Sequence, residues 1–226
     1  MISSRGWSMR NRIVIAVLIL SLAAAAAFAG GAPESTGYSA SIAYIEGQAT
    51  IDGKAANIGD TVPLGSTVVT DAQSLCEIRF NGKNAIRLAE STTFVFDPAN
   101  VQRGSELKQG ALIMVLKNLT VGADGSGFRL RTPSAVAGVR GTSFFVKAVD
   151  AQTTYICCCN GAVHVEDYAG GSKADIEAPH HKAFVYQTTD TGIGVTDATQ
   201  LYHTDADMQK VASDVGVTID WTVPDR

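Results

Sequence analysis

Residues 75–88 read Leu75-Cys-Glu-Ile-Arg-Phe-Asn-Gly-Lys-Asn-Ala-Ile-Arg-Leu88. Cys76, Ile78 and Phe80 alternate with Leu75, Glu77 and Arg79, the pair Asn81-Gly82 intervenes, and the apolar pattern resumes at Ile86 and Leu88. Successive strand side chains point to opposite faces, so a period of two marks a strand. Asn-Gly tolerates the positive φ that a tight turn demands. The stretch predicts a β-hairpin. The same grammar recurs at Asp52-Gly53 and at Asn160-Gly161, the latter predicting a hairpin between Thr153–Cys159 and Ala162–Glu166. Further strands are expected at Ser41–Ile45, Thr92–Phe96, Ala111–Leu116, Gly127–Arg131, Ser143–Val149 and Lys182–Tyr186. Long helical periodicity is absent here. The expected fold is all-β, with hairpins wrapped into a sandwich or a short solenoid-like body over residues 38–188.

The tail reads differently. Thr204 can cap a helix in which Met208, Val211, Ala212 and Val215 share one face, Asp207 sits in the first turn and Gly216 supplies a left-handed exit. Val217, Ile219, Trp221 and Val223 then alternate as an expected terminal strand. Residues 189–226 are therefore read as a small helix-strand extension, packed on the β body or docking a partner.

The start of the chain reads as a processing signal, residues 1–29. Arg5, Arg10 and Arg12 precede an uncharged apolar run from Ile13 to Ala27, and Ala27-Phe28-Ala29 has the small-x-small form of a cleavage site. The alternative is an uncleaved anchor, the one route by which this reading gives a membrane contact. The run is shorter than the roughly 20 residues a spanning helix prefers. No Cys follows it, which argues against a lipoprotein. Residues 30–37, Gly-Gly-Ala-Pro-Glu-Ser-Thr-Gly, form an expected flexible lead. No sigma-binding domain is expected in the short Met1–Arg12 segment.

Composition narrows the function classes. At 46% hydrophobic and 18% charged residues, the chain has the makings of a core, which argues against global disorder. Removing residues 1–29 takes away three Arg and no acid, so the formal charge moves from -4 to -7. An acidic chain without a Lys/Arg run has no counterion-release drive toward nucleic acid, and none is expected as a partner. Export permits disulfides, and Cys76 could bridge to one of Cys157, Cys158 and Cys159. Equally, all four could be buried thiols acting as small hydrophobes.

Three further stretches carry a resemblance. Asn57-Ile-Gly-Asp-Thr-Val-Pro-Leu-Gly-Ser-Thr-Val-Val-Thr70 is followed by Ser74-Leu-Cys-Glu-Ile-Arg-Phe-Asn-Gly82. Leu107-Lys-Gln-Gly-Ala-Leu112 comes next, and then Phe128-Arg-Leu-Arg-Thr-Pro-Ser-Ala-Val-Ala-Gly-Val-Arg-Gly-Thr-Ser-Phe-Phe-Val146, with Gly161 and Val163-His-Val165 beyond. In this order they resemble the FecR-domain family over about residues 42–186. The matching positions are Gly59, Asp60, Gly65, Thr70, Gly110, Thr132, Pro133, Val139, Arg140, Gly141, Thr142, Phe144 and Gly161. The resemblance implies an extracytoplasmic all-β domain, periplasmic or at the cell surface. In the family's namesake regulators that domain relays a signal from an outer-membrane receptor. Stand-alone exported FecR-domain proteins are the nearer comparison. Physically, Thr132-Pro133 suits a strand end, the glycines relieve tight backbone, and Arg140 could bind a carboxylate or tie an internal corner.

Catalytic chemistry finds little purchase in the sequence. Cys157–Cys159 lie near His164, but a strand-buried thiol is a poor nucleophile. His180-His181, with His164 and His203, could gather a metal, yet adjacent His residues on an extended chain face opposite ways. Glu46, Glu77, Asp97, Glu106, Asp150 and Glu166 read as solvated charges flanking turns. The glycine-rich pieces at residues 122–127 and 169–171 lack the Lys-Ser/Thr of a phosphate loop. The expected protein is a non-enzymatic module without catalytic, cofactor or metal residues. It would bind an envelope protein or cell-wall component through loops or an exposed sheet edge, with a structural surface-assembly role as the alternative.

Overall fold

The computed structural model describes residues 38–117, 119, 127–168 and 173–224, the side chains of Arg140 and Lys173 excepted. The expected leader and flexible lead lie outside the described residues. Fourteen strands and one helix make up the rest: β1 (Ala40–Glu46), β2 (Ala49–Ile51), β3 (Lys54–Ala55), β4 (Ser66–Thr70), β5 (Leu75–Phe80), β6 (Asn84–Leu88), β7 (Thr93–Phe96), β8 (Ser105–Val115), β9 (Phe128–Arg131), β10 (Val136–Ala148), β11 (Thr153–Glu166), β12 (Lys173–Ala178), β13 (Lys182–Thr189), β14 (Gly192–Ala198) and α1 (Asp205–Asp214). Among the described residues the fold is all-β with one short helix.

The hairpin expected at Asn81-Gly82 is present. β5 and β6 pair from Cys76↔Leu88 to Phe80↔Asn84, around Asn81 and Gly82 at φ 44° and 81°. Asp52 and Gly53, both at positive φ, close the two-residue turn between β2 and β3. The third expected hairpin does not form. β11 runs straight through Asn160-Gly161 as one fourteen-residue strand. Its first part pairs with β13 from Thr153 to Cys158, and its second part pairs with β12 from Gly161 to Glu166. Turn-type residues here mark a change of neighbours within a strand.

β8 and β10 behave the same way. Residues 110–115 of β8 pair with β10 and residues 112–115 with β6, while its first half pairs with β7 and β9. β10 pairs with β9 up to Val139 and with β8 from Ser143, with register shifts against β11 between Arg140 and Phe144. Positive-φ glycines stand at these exchanges, Gly110 (φ 87°), Gly141 (φ 60°) and Gly161 (φ 119°). A Cβ on Gly110 would lie 2.2 Å from Thr92 Oγ1, so the backbone approaches too closely for any other residue.

A large core cluster draws on both halves of these long strands and on their partners, with Phe94, Leu107, Phe128 and Val163 at one end and Ile86, Leu112, Phe144 and Ile156 at the other. The opposite face of β6, β8, β10, β11 and β13 carries Ala85, Val115, Phe145, Tyr155, Cys157 and Ala183, and α1 covers it with Met208, Val211 and Ala212. Fully burying side chains of this size contributes about 1.5–3 kcal/mol each.

The helix forms as its sequence predicts. Thr204 Oγ1 accepts from Asp207 N, Asp207 returns a bond to the Thr204 amide, and Gly216 exits at φ 67°. The expected terminal strand is absent. Ile219 is buried and Val217 and Trp221 pack beside it, which accounts for the alternation, but the segment pairs with no strand of the sheet among the described residues. Side chains hold this segment: Asn160 Nδ2 lies 2.8 Å from the carbonyls of Asp220 and Val223, and Gln209 Oε1 accepts from Ile219 N at 3.4 Å. The sheet also continues through β14, a glycine-rich strand within the expected C-terminal extension.

Candidate functional site

The signature residues build corners. Thr132-Pro133-Ser134-Ala135 joins β9 to β10, with Thr132 N donating to Ala135 O and Thr132 Oγ1 bonding both the amide and the carbonyl of Ala135. Ser134 Oγ reaches Thr154 Oγ1 at 2.8 Å and Tyr186 O at 3.0 Å, and Tyr168 OH donates to Thr132 O. Thr142 Oγ1 donates to Ala162 O at 2.6 Å and accepts from Ala162 N at 3.1 Å, bridging β10 to β11 where their ladder is interrupted. Gly161 fits beside it because a Cβ there would lie 2.9 Å from Thr142 Oγ1. Thr70 Oγ1 donates to Ala89 O and accepts from Thr92 N. Gly59 and Gly65 take positive φ, Asp60 Oδ2 accepts from Asn57 N, and Val139 and Phe144 are core residues. The side chain of Arg140 lies outside the described residues.

One face of this signature region is concave. Arg129, Gly138, His164 and Asp175 form one cross-strand row over β9, β10, β11 and β12. Glycine at the second position leaves room between its neighbours, and the opening they share with Glu166 and Glu177 has a volume of about 570 Å³. Its charges are paired along its walls, His164 Nδ1 to Asp175 Oδ1 at 2.6 Å and Arg129 Nη2 to Glu166 Oε1 at 2.6 Å. His164 thus belongs to this groove, apart from the cysteines to which sequence proximity had assigned it.

The cysteines instead meet other histidines. All four are free and buried. Cys76 and Cys158 face the large core, and burial pushes each thiol up to about 12. Cys157 and Cys159 face the helix side with their sulfurs 3.9 Å apart. Cys157 Sγ lies 3.5 Å from His181 Nδ1, and Cys159 Sγ lies 3.2 Å from His203 Nε2. A hydrogen bond from Cys159 and the two nearby imidazoles hold the Cys157 thiol well below its ordinary value against burial, while burial and its neighbour hold Cys159 well above. His180 and His181 do not diverge as expected of an extended pair. His181 has φ 36°, and the turn brings both imidazoles onto Asp205, at 3.0 and 2.6 Å. Sequence reasoning missed this grouping because its members come from β11, the turn after β12 and the approach to α1.

Glu77 also departs from expectation. It is fully buried, bonded to Arg79 Nε at 2.9 Å and to Arg87 Nη2 at 2.6 Å, and Arg87 in turn reaches Asp214 on α1 at 2.9 Å. Its position inside an alternating strand, opposite Arg87 across the hairpin, was the available signal.

Residues 66–164 match the family model described as FecR protein. The chain carries a FecR domain. That domain spans β4 to most of β11 and includes the Thr132 turn, the Gly141 and Gly161 corners and His164. The match supports a signalling or regulatory module. Two crystal structures of "a putative anti-sigma factor from Parabacteroides distasonis ATCC 8503" are similar at 17% identity and TM-score 0.46, each over 65% of this chain. The similarity spans 63% and 62% of those chains, under two thirds of their length. None of the curated proteins compared matches the sequence. Among the described residues, no helix is long and apolar enough to cross a membrane.

Proposed function

We propose that the protein is an exported, non-enzymatic signalling module that captures an extended segment of an envelope protein along the open edge of β14. The carrying observation is that edge. β14 closes the strand order beyond β13, and among the described residues no strand pairs its outer side. Its seven residues, Gly-Ile-Gly-Val-Thr-Asp-Ala, include one charge and neither Lys nor Pro, and Val195 is 46% exposed. Open edges of this kind are normally shielded by charge, proline or bulges, and an added strand would satisfy their free amides and carbonyls. The FecR match supports signalling, and the Arg5–Ala29 leader pattern supports export. The full burial of Cys157 and Cys159 speaks against a cysteine nucleophile, since a substrate must reach the sulfur.

Crosslinking in intact cells, followed by pull-down of the mature chain, tests this reading. A reproducible envelope partner is expected, lost when Val195→Lys places a charge on the edge. Capture that survives this substitution removes β14 from the mechanism. Self-association in the absence of any partner supports a structural assembly role instead.

A further inference from the structure

Cys157 Sγ, Cys159 Sγ, His181 Nδ1 and His203 Nε2 all lie within 4.8 Å of one another. Tetrahedral zinc, with Zn–S of about 2.3 Å and Zn–N of about 2.0–2.1 Å, sets its ligands about 3.8 Å apart for two sulfurs and about 3.6 Å for sulfur and nitrogen. The observed separations are 3.9 Å between the sulfurs and 3.5 and 3.2 Å from sulfur to nitrogen. The donor set is two soft thiols and two imidazoles, the combination that favours zinc over harder cations.

Hydrogen bonding around the ligands orients them for a metal. His203 Nδ1 is 2.8 Å from Leu201 O, which can only accept, so the ring hydrogen sits on Nδ1 and the lone pair of Nε2 faces Cys159. His181 Nε2 is 2.6 Å from Asp205 Oδ1 and 3.2 Å from Gln200 Nε2. The shorter contact, to an ionised carboxylate, places the hydrogen on Nε2 and leaves the Nδ1 lone pair facing Cys157. A carboxylate or carbonyl behind each ligating imidazole is the arrangement that fixes its tautomer in metal sites. The rings are also clamped, His203 stacked on Phe145 at 4.4 Å and His181 on Trp221 at 5.4 Å between centroids. All four residues are buried or nearly so, and the alternation of β11 puts Cys157 and Cys159 on the same side of the strand, with Cys158 on the other.

We infer that Cys157, Cys159, His181 and His203 form a closed, structural zinc site that fastens the C-terminal extension to the FecR domain. Four protein ligands leave no open coordination position, so the site holds structure and performs no hydrolysis. Two ligands come from within the matched domain, on β11, and two from beyond it, next to β13 and just ahead of α1. Asp205, the first residue of α1, orients His181, so the metal and the helix start are ordered together. His180 stays outside the ligand set, bonded to the other Asp205 oxygen.

The test uses the whole chain, purified without chelators or a nickel column, and is read by metal content, independently of any partner. Elemental analysis should return about one zinc per chain. After chelation under reducing conditions, cobalt(II) should give the intense visible bands of a tetrahedral centre with thiolate-to-cobalt charge transfer. Cys159→Ser and His203→Ala should each lose the metal, while Cys158→Ser and His164→Ala keep it. If the ligand variants fail to fold, the cobalt spectrum of the unaltered chain decides. A reduced chain that takes up less than about a tenth of an equivalent of zinc overturns the inference. So does a weak octahedral cobalt spectrum, or full metal retention in the Cys159→Ser, His203→Ala double variant.

Discussion

Replacing Glu77 by Gln should be among the most costly single changes of a polar residue in this chain. The carboxylate is fully buried and shares its oxygens among Arg79 Nε at 2.9 Å and Arg87 Nε and Nη2 at 3.1 and 2.6 Å. Removing one partner of a buried ion pair costs about 3–5 kcal/mol, because the remaining charge stays desolvated. Arg87, with its side chain 9% exposed, would still hold Asp214 at 2.9 Å, which brings the expected loss down to about 2–3 kcal/mol. For a chain of this size each kcal/mol moves the melting temperature by about 2–4 °C, so a fall of roughly 5–10 °C is expected, alongside a lower urea midpoint. The double variant Glu77→Met, Arg87→Met removes both buried charges, so it should be no less stable than Glu77→Gln. The reasoning fails if Glu77→Gln costs under about 1 kcal/mol, or if the double variant loses the full sum of its single changes.

Gly161→Ala forces a Cβ to within 2.9 Å of Thr142 Oγ1 at φ 119° and should cost about 2–4 kcal/mol, whereas Gly53→Ala, with open space around it, should cost about 1 kcal/mol; urea titrations of the two compare close approach with backbone strain alone. Asp214→Asn should weaken the tie from α1 to Arg87 by about 1 kcal/mol and raise amide exchange in residues 205–214 more than in β5, measured by hydrogen-exchange mass spectrometry. Burial raises Cys76 and Tyr186 to about 12, from 9.0 and 10.0, so the unfolded chain releases these protons first as pH rises. Stability they support is complete below pH 9 and declines from there toward 12, and the urea midpoint should fall over that window; in Cys76→Ala the decline should be shallower with the same onset, because Cys158 is raised from 9.0 to about 12 as well.

The β-strands were legible because alternation is a local signal. Asn81-Gly82 and Asp52-Gly53 announce their turns, and Thr204 with Asp207 announces the helix start. Asn160-Gly161 misled because a glycine at positive φ has two uses, reversing a chain or letting a long strand change partners. What separates them is whether Thr142 lies across from Gly161, a contact between residues 19 apart. Val217 to Val223 misled for a related reason. Alternation reports one buried face, and a strand also needs a ladder partner, which residues 217–223 do not have among the described residues. Glu77 was misread because composition ranks carboxylates as surface groups, and only the pairing with Arg87 across the β5–β6 hairpin makes its burial tolerable.

The candidate site is harder to read than the fold for the same physical reason. Its pieces stand 2, 22 and 22 residues apart along the chain, at Cys157, Cys159, His181 and His203, a spacing unlike the short paired repeats of familiar zinc motifs. They converge because β11 passes straight through residue 160 instead of turning. Had Asn160-Gly161 made the expected hairpin, Thr153–Cys159 would lie beside Ala162–Glu166, with His164 the histidine nearest the thiols. With the strand continuous, His164 is carried to the groove beside Asp175, and the turn at Pro179–His181 folds back against Cys159, where His181 N donates to Cys159 O at 3.2 Å. A single backbone decision at Gly161 therefore sets which histidine meets the cysteines, and with it how the C-terminal extension is joined to the FecR domain.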